Sequence, residues 1–182
     1  MSRFYILLWL FWSLRLTLNS ILMACLISAF ITLGIYVNQG SLELNQSVYE
    51  ALFLVFKFWF VLSWSLTLLL SLFRELKPIF NRCINGYRLT LLSCPSEGKQ
   101  EKIKEIGYGD LVKVWRKWFM LIIWLVGAQM ILVVAFTKLF TSGSAIFDWF
   151  NIYTLYGFVL VGGYFSFMIL SMRCKKVKIE RC

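Results

Sequence analysis

The sequence predicts an all-α integral membrane protein: a four-helix transmembrane bundle with an N-terminal interfacial helix and a basic cytoplasmic amphipathic helix between spans two and three. Three observations predict it. Of the 182 residues, 60% are hydrophobic and 18% aromatic, with a mean hydropathy of +0.74, whereas roughly 45–50% of residues are apolar in an average soluble domain. The apolar residues gather into four long stretches, each of the length a ~30 Å hydrocarbon core requires. When the chain is threaded back and forth through a membrane, all of the 19 basic residues except Lys57 and Lys138 fall on one side.

The first apolar stretch, Phe4 to Val37, would make a helix of roughly 50 Å, longer than the hydrocarbon core. Arg15 is the charge inside it, flanked by Ser13, Thr17 and Asn19. Residues 1–15 are therefore expected to form an elbow helix in the interface, with Tyr5, Trp9 and Trp12 at the headgroup level that amphipathic rings prefer. Span one then covers 16–37. A single steeply tilted helix is the alternative. Spans two, three and four are expected at 49–73, 118–140 and 146–172.

The loop between spans one and two carries Glu43 and no basic residue, and the loop between spans three and four has no charge. By contrast, the loop 74–117 and the tail 173–182 are densely basic, including Arg173, Lys175, Lys176, Lys178 and Arg181 directly after span four. The positive-inside rule places both termini in the cytoplasm, the membrane being a bacterial inner membrane. Topology thus accounts for the net charge of +10, and no nucleic-acid partner is expected. The basic clusters suit the anionic inner leaflet.

Within 74–117, Phe80, Cys83, Ile84, Tyr87 and Leu91 recur at helical spacing between Pro78 and Pro95, while Arg82 and Arg88 face the other way. The spacing predicts an amphipathic helix weakened by Gly86. Its face of Phe80, Ile84 and Tyr87 with Arg82 and Arg88 is a candidate surface for lipid or for a partner protein.

Three local patterns are decoys. Leu22–Cys25 resembles a lipobox, but the apolar run continues through Val37 and Arg15 interrupts what should be an uncharged core. Gly107, Tyr108, Gly109 and Asp110 resemble the selectivity filter of potassium channels, yet a charged segment precedes them, Glu105 stands where a Thr is required, and the charge count puts the loop inside. The two glycines are read as helix terminators, with Asp110 as the N-cap of the next helix. The cysteines, Cys25, Cys83, Cys94, Cys174 and Cys182, avoid the outer loops, so no disulfide framework is expected. That placement also excludes the quinone-linked four-span oxidoreductases. The four inside-facing cysteines lack zinc-site spacing, and no metal or cofactor is expected.

The absence of histidine removes the commonest general acid/base and metal ligand. No nucleophile–base pair, carboxylate dyad or phosphate loop stands out, so no catalytic residue is assigned and the chain is not expected to be an enzyme. Ionisable and polar residues within spans are costly and therefore candidates for function: Lys57, Gln129 and Asp148. Lys57 is expected to snorkel outward or to pair with Asp148 or Glu50. Gly162, Gly163 and Ser166 allow another helix close, and Ser63, Ser65 and Thr67 can hydrogen-bond across helices.

The leading expectation is a non-catalytic subunit or assembly factor of a larger membrane complex, such as a secretion or conjugation machine, with other membrane proteins or further copies of itself as partners. The alternatives are a small transporter or channel-like protein, and a four-span immunity or exclusion protein acting on an incoming pore or transfer apparatus.

Overall fold

The computed structural model describes residues 2–40, 45–92, 107–140, 151–173 and 177–182. Four helices carry the chain: α1 (Ser2–Asn38), α2 (Gln46–Arg74), α3 (Tyr108–Phe140) and α4 (Ile152–Arg173). Each is long and apolar enough to cross a membrane, as expected for an integral membrane protein. Two short strands, β1 (Tyr87–Leu91) and β2 (Val177–Arg181), pair antiparallel. The chain divides into two compact units, one of residues Leu14–Arg74 and one of Met1–Ser13 with Glu75–Cys182.

Helix α1 passes through Arg15 without a break, so the expected elbow is absent. Of the polar residues that suggested an interruption, Ser13 turns its hydroxyl onto its own helix, Oγ donating to the Leu10 carbonyl (3.0 Å). Neither Gly nor Pro stands nearby to force a kink. The unbroken helix corresponds to the alternative of a single long helix.

In the unit of residues Leu14–Arg74, α1 buries a line at four-residue spacing: Leu16, Ser20, Ala24 and Ser28, none with exposed surface. Three are small, which lets a second helix backbone approach closely. Helix α2 buries Ser63, Trp64, Thr67, Leu68, Ser71 and Leu72, two adjacent rows at the same spacing. Two contacts from α2 converge on Ser20: Trp64 Nε1 donates to its hydroxyl (3.2 Å) and Thr67 Oγ1 to its carbonyl (3.1 Å). Thr67 thus bonds across helices as expected, whereas Ser65 is exposed and returns to the Leu62 carbonyl of its own helix.

In the other unit, α3 begins ten residues before the expected start of span three. Gly107 takes the cap position, its carbonyl accepting from Leu111 N (3.2 Å). The expected cap, Asp110, therefore lies inside the first turn, and Gly109 is helical rather than a terminator. Leu111, Val114, Trp118, Ile122 and Val126 form the buried stripe of α3. Helix α4 opens with a reciprocal cap: Asn151 Oδ1 accepts from the Tyr153 and Thr154 amides (3.0 and 3.1 Å), and Thr154 Oγ1 accepts from Asn151 N (3.0 Å). The start expected at Ile146 lies outside the described residues.

The amphipathic helix expected over 80–92 does not form. After α2 the chain makes one 3-10 turn at Lys77–Ile79, then a tight hairpin across Asn85 and Gly86. Both residues have positive φ (51° and 78°), and Ile84 and Tyr87 exchange two backbone hydrogen bonds of 2.7 and 3.0 Å. This is the geometry of a type I′ turn, for which Asn-Gly is the favoured dipeptide. The strand that follows, β1, pairs along its whole length with β2, from Tyr87↔Arg181 to Leu91↔Val177. Arg88 and Glu180 sit opposite each other and form an ion pair of 3.7 Å. Within the expected basic tail, Val177–Arg181 is thus a paired strand.

A disulfide joins Cys83 to Cys182, with a Cα–Cα distance of 6.1 Å, against the expectation of uniformly reduced thiols. The ribbon brings these two positions together: Cys182 N donates to the Gly86 carbonyl (2.9 Å) at the end of the β1–β2 register. Cys25, half-buried in α1, is a free thiol.

Replacing Gly86 by Val puts a β-branched side chain where φ is positive. This is expected to destabilise the hairpin by about 1–2 kcal/mol and to accelerate amide exchange at Leu89 and Leu91, while insertion of the four helices is unchanged; exchange mass spectrometry in nanodiscs measures both.

Candidate functional site

The unit Met1–Ser13 and Glu75–Cys182 contains an aromatic lock where the start of α1 meets α3 and α4. Phe4, Leu8 and Trp12 recur every four residues along α1 and are buried. Trp12 has no exposed surface; its ring meets Trp118 and Phe167 edge-on, with centroids at 5.7 and 5.3 Å, and packs closely against Gly163. A Cβ on Gly163 would overlap the Trp12 ring. Trp12 Nε1 has no hydrogen-bond partner among the described residues, so shape holds this indole in place.

The neighbouring contacts are polar. Trp118 Nε1 donates to Ser166 Oγ (2.9 Å), and that hydroxyl donates to the Gly163 carbonyl (2.7 Å). Tyr5 and Ser171 share a hydroxyl hydrogen bond (2.6 Å), and Trp9 Nε1 donates to the Leu160 carbonyl (2.8 Å). Tyr5, Trp9 and Trp12 are thus all turned onto α4.

Further along the same pair of helices, Gln129 Nε2 donates to the Phe158 carbonyl of α4 (3.3 Å) and to the Leu125 carbonyl of its own helix (3.2 Å). Gly162 makes room for this crossing, since a Cβ there would lie 3.3 Å from Gln129 Nε2 and 3.6 Å from Leu125 Cβ. Gly162, Gly163, Ser166 and Gln129 thus act together in holding α3 to α4. Beside Gln129 opens a groove of about 430 Å³, lined by Leu132, Val133, Phe136, Thr137 and Phe158. The lining is almost wholly apolar, and Thr137 turns its hydroxyl onto its own helix (2.9 and 3.0 Å to the Val134 and Val133 carbonyls).

The other candidates are not gathered here. Lys57 is exposed on α2 and makes no ion pair among the described residues; Glu50 instead accepts from Gln46 Nε2 (3.5 Å). Asp148 lies outside the described residues. Phe80, Ile84, Tyr87, Arg82 and Arg88 do not share one face. Phe80 is buried and bridges to Leu89, while Tyr87 packs edge-on against Phe4 (6.0 Å). Arg82 stacks over the Phe11 ring (3.8 Å) and Arg88 pairs with Glu180. What remains outward on the ribbon is polar: Asn81, Arg82, Cys83, Asn85, Gly86, Lys178 and Arg181 are exposed.

Sequence reasoning missed two buried residues. Trp12 had no periodic signal stronger than its neighbours. Glu75, immediately after α2, is 1% exposed, a rare burial for a carboxylate; its neighbours Arg74 and Lys77 made it look like an ordinary loop charge.

Among the described residues, no group of three or more His, Cys, Asp or Glu side chains could hold a metal ion. The fold is α-helical, with four helices long and apolar enough to cross a membrane, consistent with an integral membrane protein. Comparison with protein-family models, curated proteins and solved structures gives no match.

Two substitutions separate shape from hydrogen bonding in the lock. Gly163→Val is expected to cost about 1–3 kcal/mol through overpacking against Trp12, and Trp12→Leu in the same chain should recover part of it. Ser166→Ala leaves the Trp118 indole without its acceptor and is expected to cost about 1–3 kcal/mol, more than Gln129→Leu, which removes an interhelix bond worth about 0.6 kcal/mol. Thermal unfolding in detergent, followed by tryptophan fluorescence, ranks the variants.

Proposed function

We propose that the protein is a non-catalytic subunit or assembly factor of a larger membrane complex, such as a secretion or conjugation machine in a bacterial inner membrane. The reading places the ribbon and both termini on the cytoplasmic side, because the basic residues other than Lys57 and Lys138 cluster there. The observation that carries it is the ribbon. A loop and the segment after the last span are joined into one ordered element with an exposed polar surface, a suitable platform for a partner protein. Within the spans, the polar groups Gln129 and Ser166 are committed to holding α3 and α4 together. Large apolar side chains such as Trp124, Ile131 and Phe136 remain exposed along α3, offering area to lipid or to a partner's transmembrane helices.

The groove beside Gln129 favours a second reading: a small transporter or channel-like protein that admits an apolar molecule between α3 and α4. Its narrow polar content suits a lipid-like substrate better than an ion.

Purification of the tagged chain from its native membrane in mild detergent, followed by native mass analysis, tests the first reading. Stoichiometric partner proteins are the expected result, and Lys178→Glu with Arg181→Glu should remove them without impairing membrane insertion. A lone monomer or small homo-oligomer that keeps bound lipid counts against the subunit reading and favours the groove.

A further inference from the structure

We infer that Cys83 and Cys182 form a reversible dithiol–disulfide latch that controls whether β2 stays registered on β1. Three features support it. Both cysteines are exposed, so a small thiol or disulfide can reach them, whereas Cys25 is half-buried in an apolar helix. The backbone brings the pair together independently of the covalent bond, through the Cys182 N to Gly86 O hydrogen bond (2.9 Å) and the continuous β1–β2 register; the thiols therefore meet again after reduction. The bond also closes a separation of 99 residues, joining two segments that are otherwise connected only through the third and fourth helices.

The chemistry balances as an exchange with a dithiol. A thiolate of the reductant attacks Cys182 Sγ, Cys83 leaves as thiolate and takes up a proton, and the second reductant thiol then displaces Cys182. Two electrons pass to the protein, and the reductant leaves as its own cyclic disulfide. A low-molecular-weight disulfide reverses the process. In the bonded state Arg88, Lys178 and Arg181 are fixed on one ribbon. In the reduced state β2 is retained without a covalent tie, by the backbone hydrogen bonds, the Thr90 Oγ1 to Lys178 carbonyl bond (3.0 Å), the Arg88–Glu180 pair and the buried Val177 side chain, and its end at Arg181 can peel from β1, loosening the platform proposed above. The latch rests on the subunit reading for its purpose, not for its chemistry. The proposed orientation places the pair in the cytoplasm, where thiols are kept reduced and oxidation is the signal.

The test uses the full chain in membrane vesicles, with Cys25→Ala, Cys94→Ser and Cys174→Ser, equilibrated in mixtures of reduced and oxidised dithiothreitol. Maleimide-polymer gel shifts read the thiols, and amide exchange reads residues 177–181. The expected result is a reversible two-thiol transition, with exchange in β2 faster by on the order of tenfold in the reduced state. Cys83→Ser should show the fast rate under all conditions. Equal exchange rates in the two states, or a pair that does not re-form, would overturn the proposal. So would peptide mapping of the oxidised, unsubstituted chain that found Cys182 bonded to Cys94 or Cys174. An impermeant maleimide applied from either side reads orientation separately, so a wrong topology and a failed latch give different results.

Discussion

The close approach of Trp12 to Gly163 is the contact on which the unit Met1–Ser13 with Glu75–Cys182 depends. The indole comes this close to the helix backbone only because the opposing residue has no side chain. Once it does, the ring meets Trp118 and Phe167 edge-on, and those two stack on each other with centroids 5.7 Å apart. Leu8 and Phe4, one and two turns earlier, follow into burial, and Phe4 reaches Tyr87 of the ribbon. The start of α1, the α3–α4 pair and the extramembrane strands are therefore linked through a single column of side chains. The hydrophobic effect is not available to drive helices together in lipid, so this column acts through dispersion and shape.

Polar residues in the spans serve the same end by a different route. Ser20 receives Trp64 and Thr67, Ser166 receives Trp118, and Gln129 reaches Phe158. Each such bond contributes well under 2 kcal/mol in a bilayer. Their effect is better described as orientation than as strength: an indole with a fixed acceptor fixes the rotation of its helix, and the apolar contacts supply the remaining stability.

The spans were legible because hydropathy over twenty residues is a local property, and Gly162, Gly163 and Ser166 stood out because small residues at that spacing have few other uses in a helix. The ribbon was not legible for the opposite reason. Phe80, Cys83, Ile84, Tyr87 and Leu91 fit a helix, and the feature that decides against it is the Asn85-Gly86 dipeptide, read at first as a weak point rather than as a turn. Strand β1 is short, and its partner lies in the segment after α4, so no window of sequence contains the pair. The same blindness hid the disulfide, since counting cysteines per side says nothing of which two the backbone will bring together. The burial of Trp12 has no local signal, because it depends on a glycine about 150 residues further along the chain.

The register of the ribbon has a consequence for the order of assembly. Leu91 pairs with Val177, and at synthesis rates of about 5–20 residues per second β1 emerges roughly 4–17 s before its partner. Throughout that interval Leu89 and Leu91 have no strand to cover them, and α3 and α4 have yet to be inserted. The ribbon can close only after α4 has been made, because β2 follows it in the chain. The β1–β2 pairing, with the Cys83–Cys182 bond at its end, is therefore a contact that no partly synthesised chain can hold.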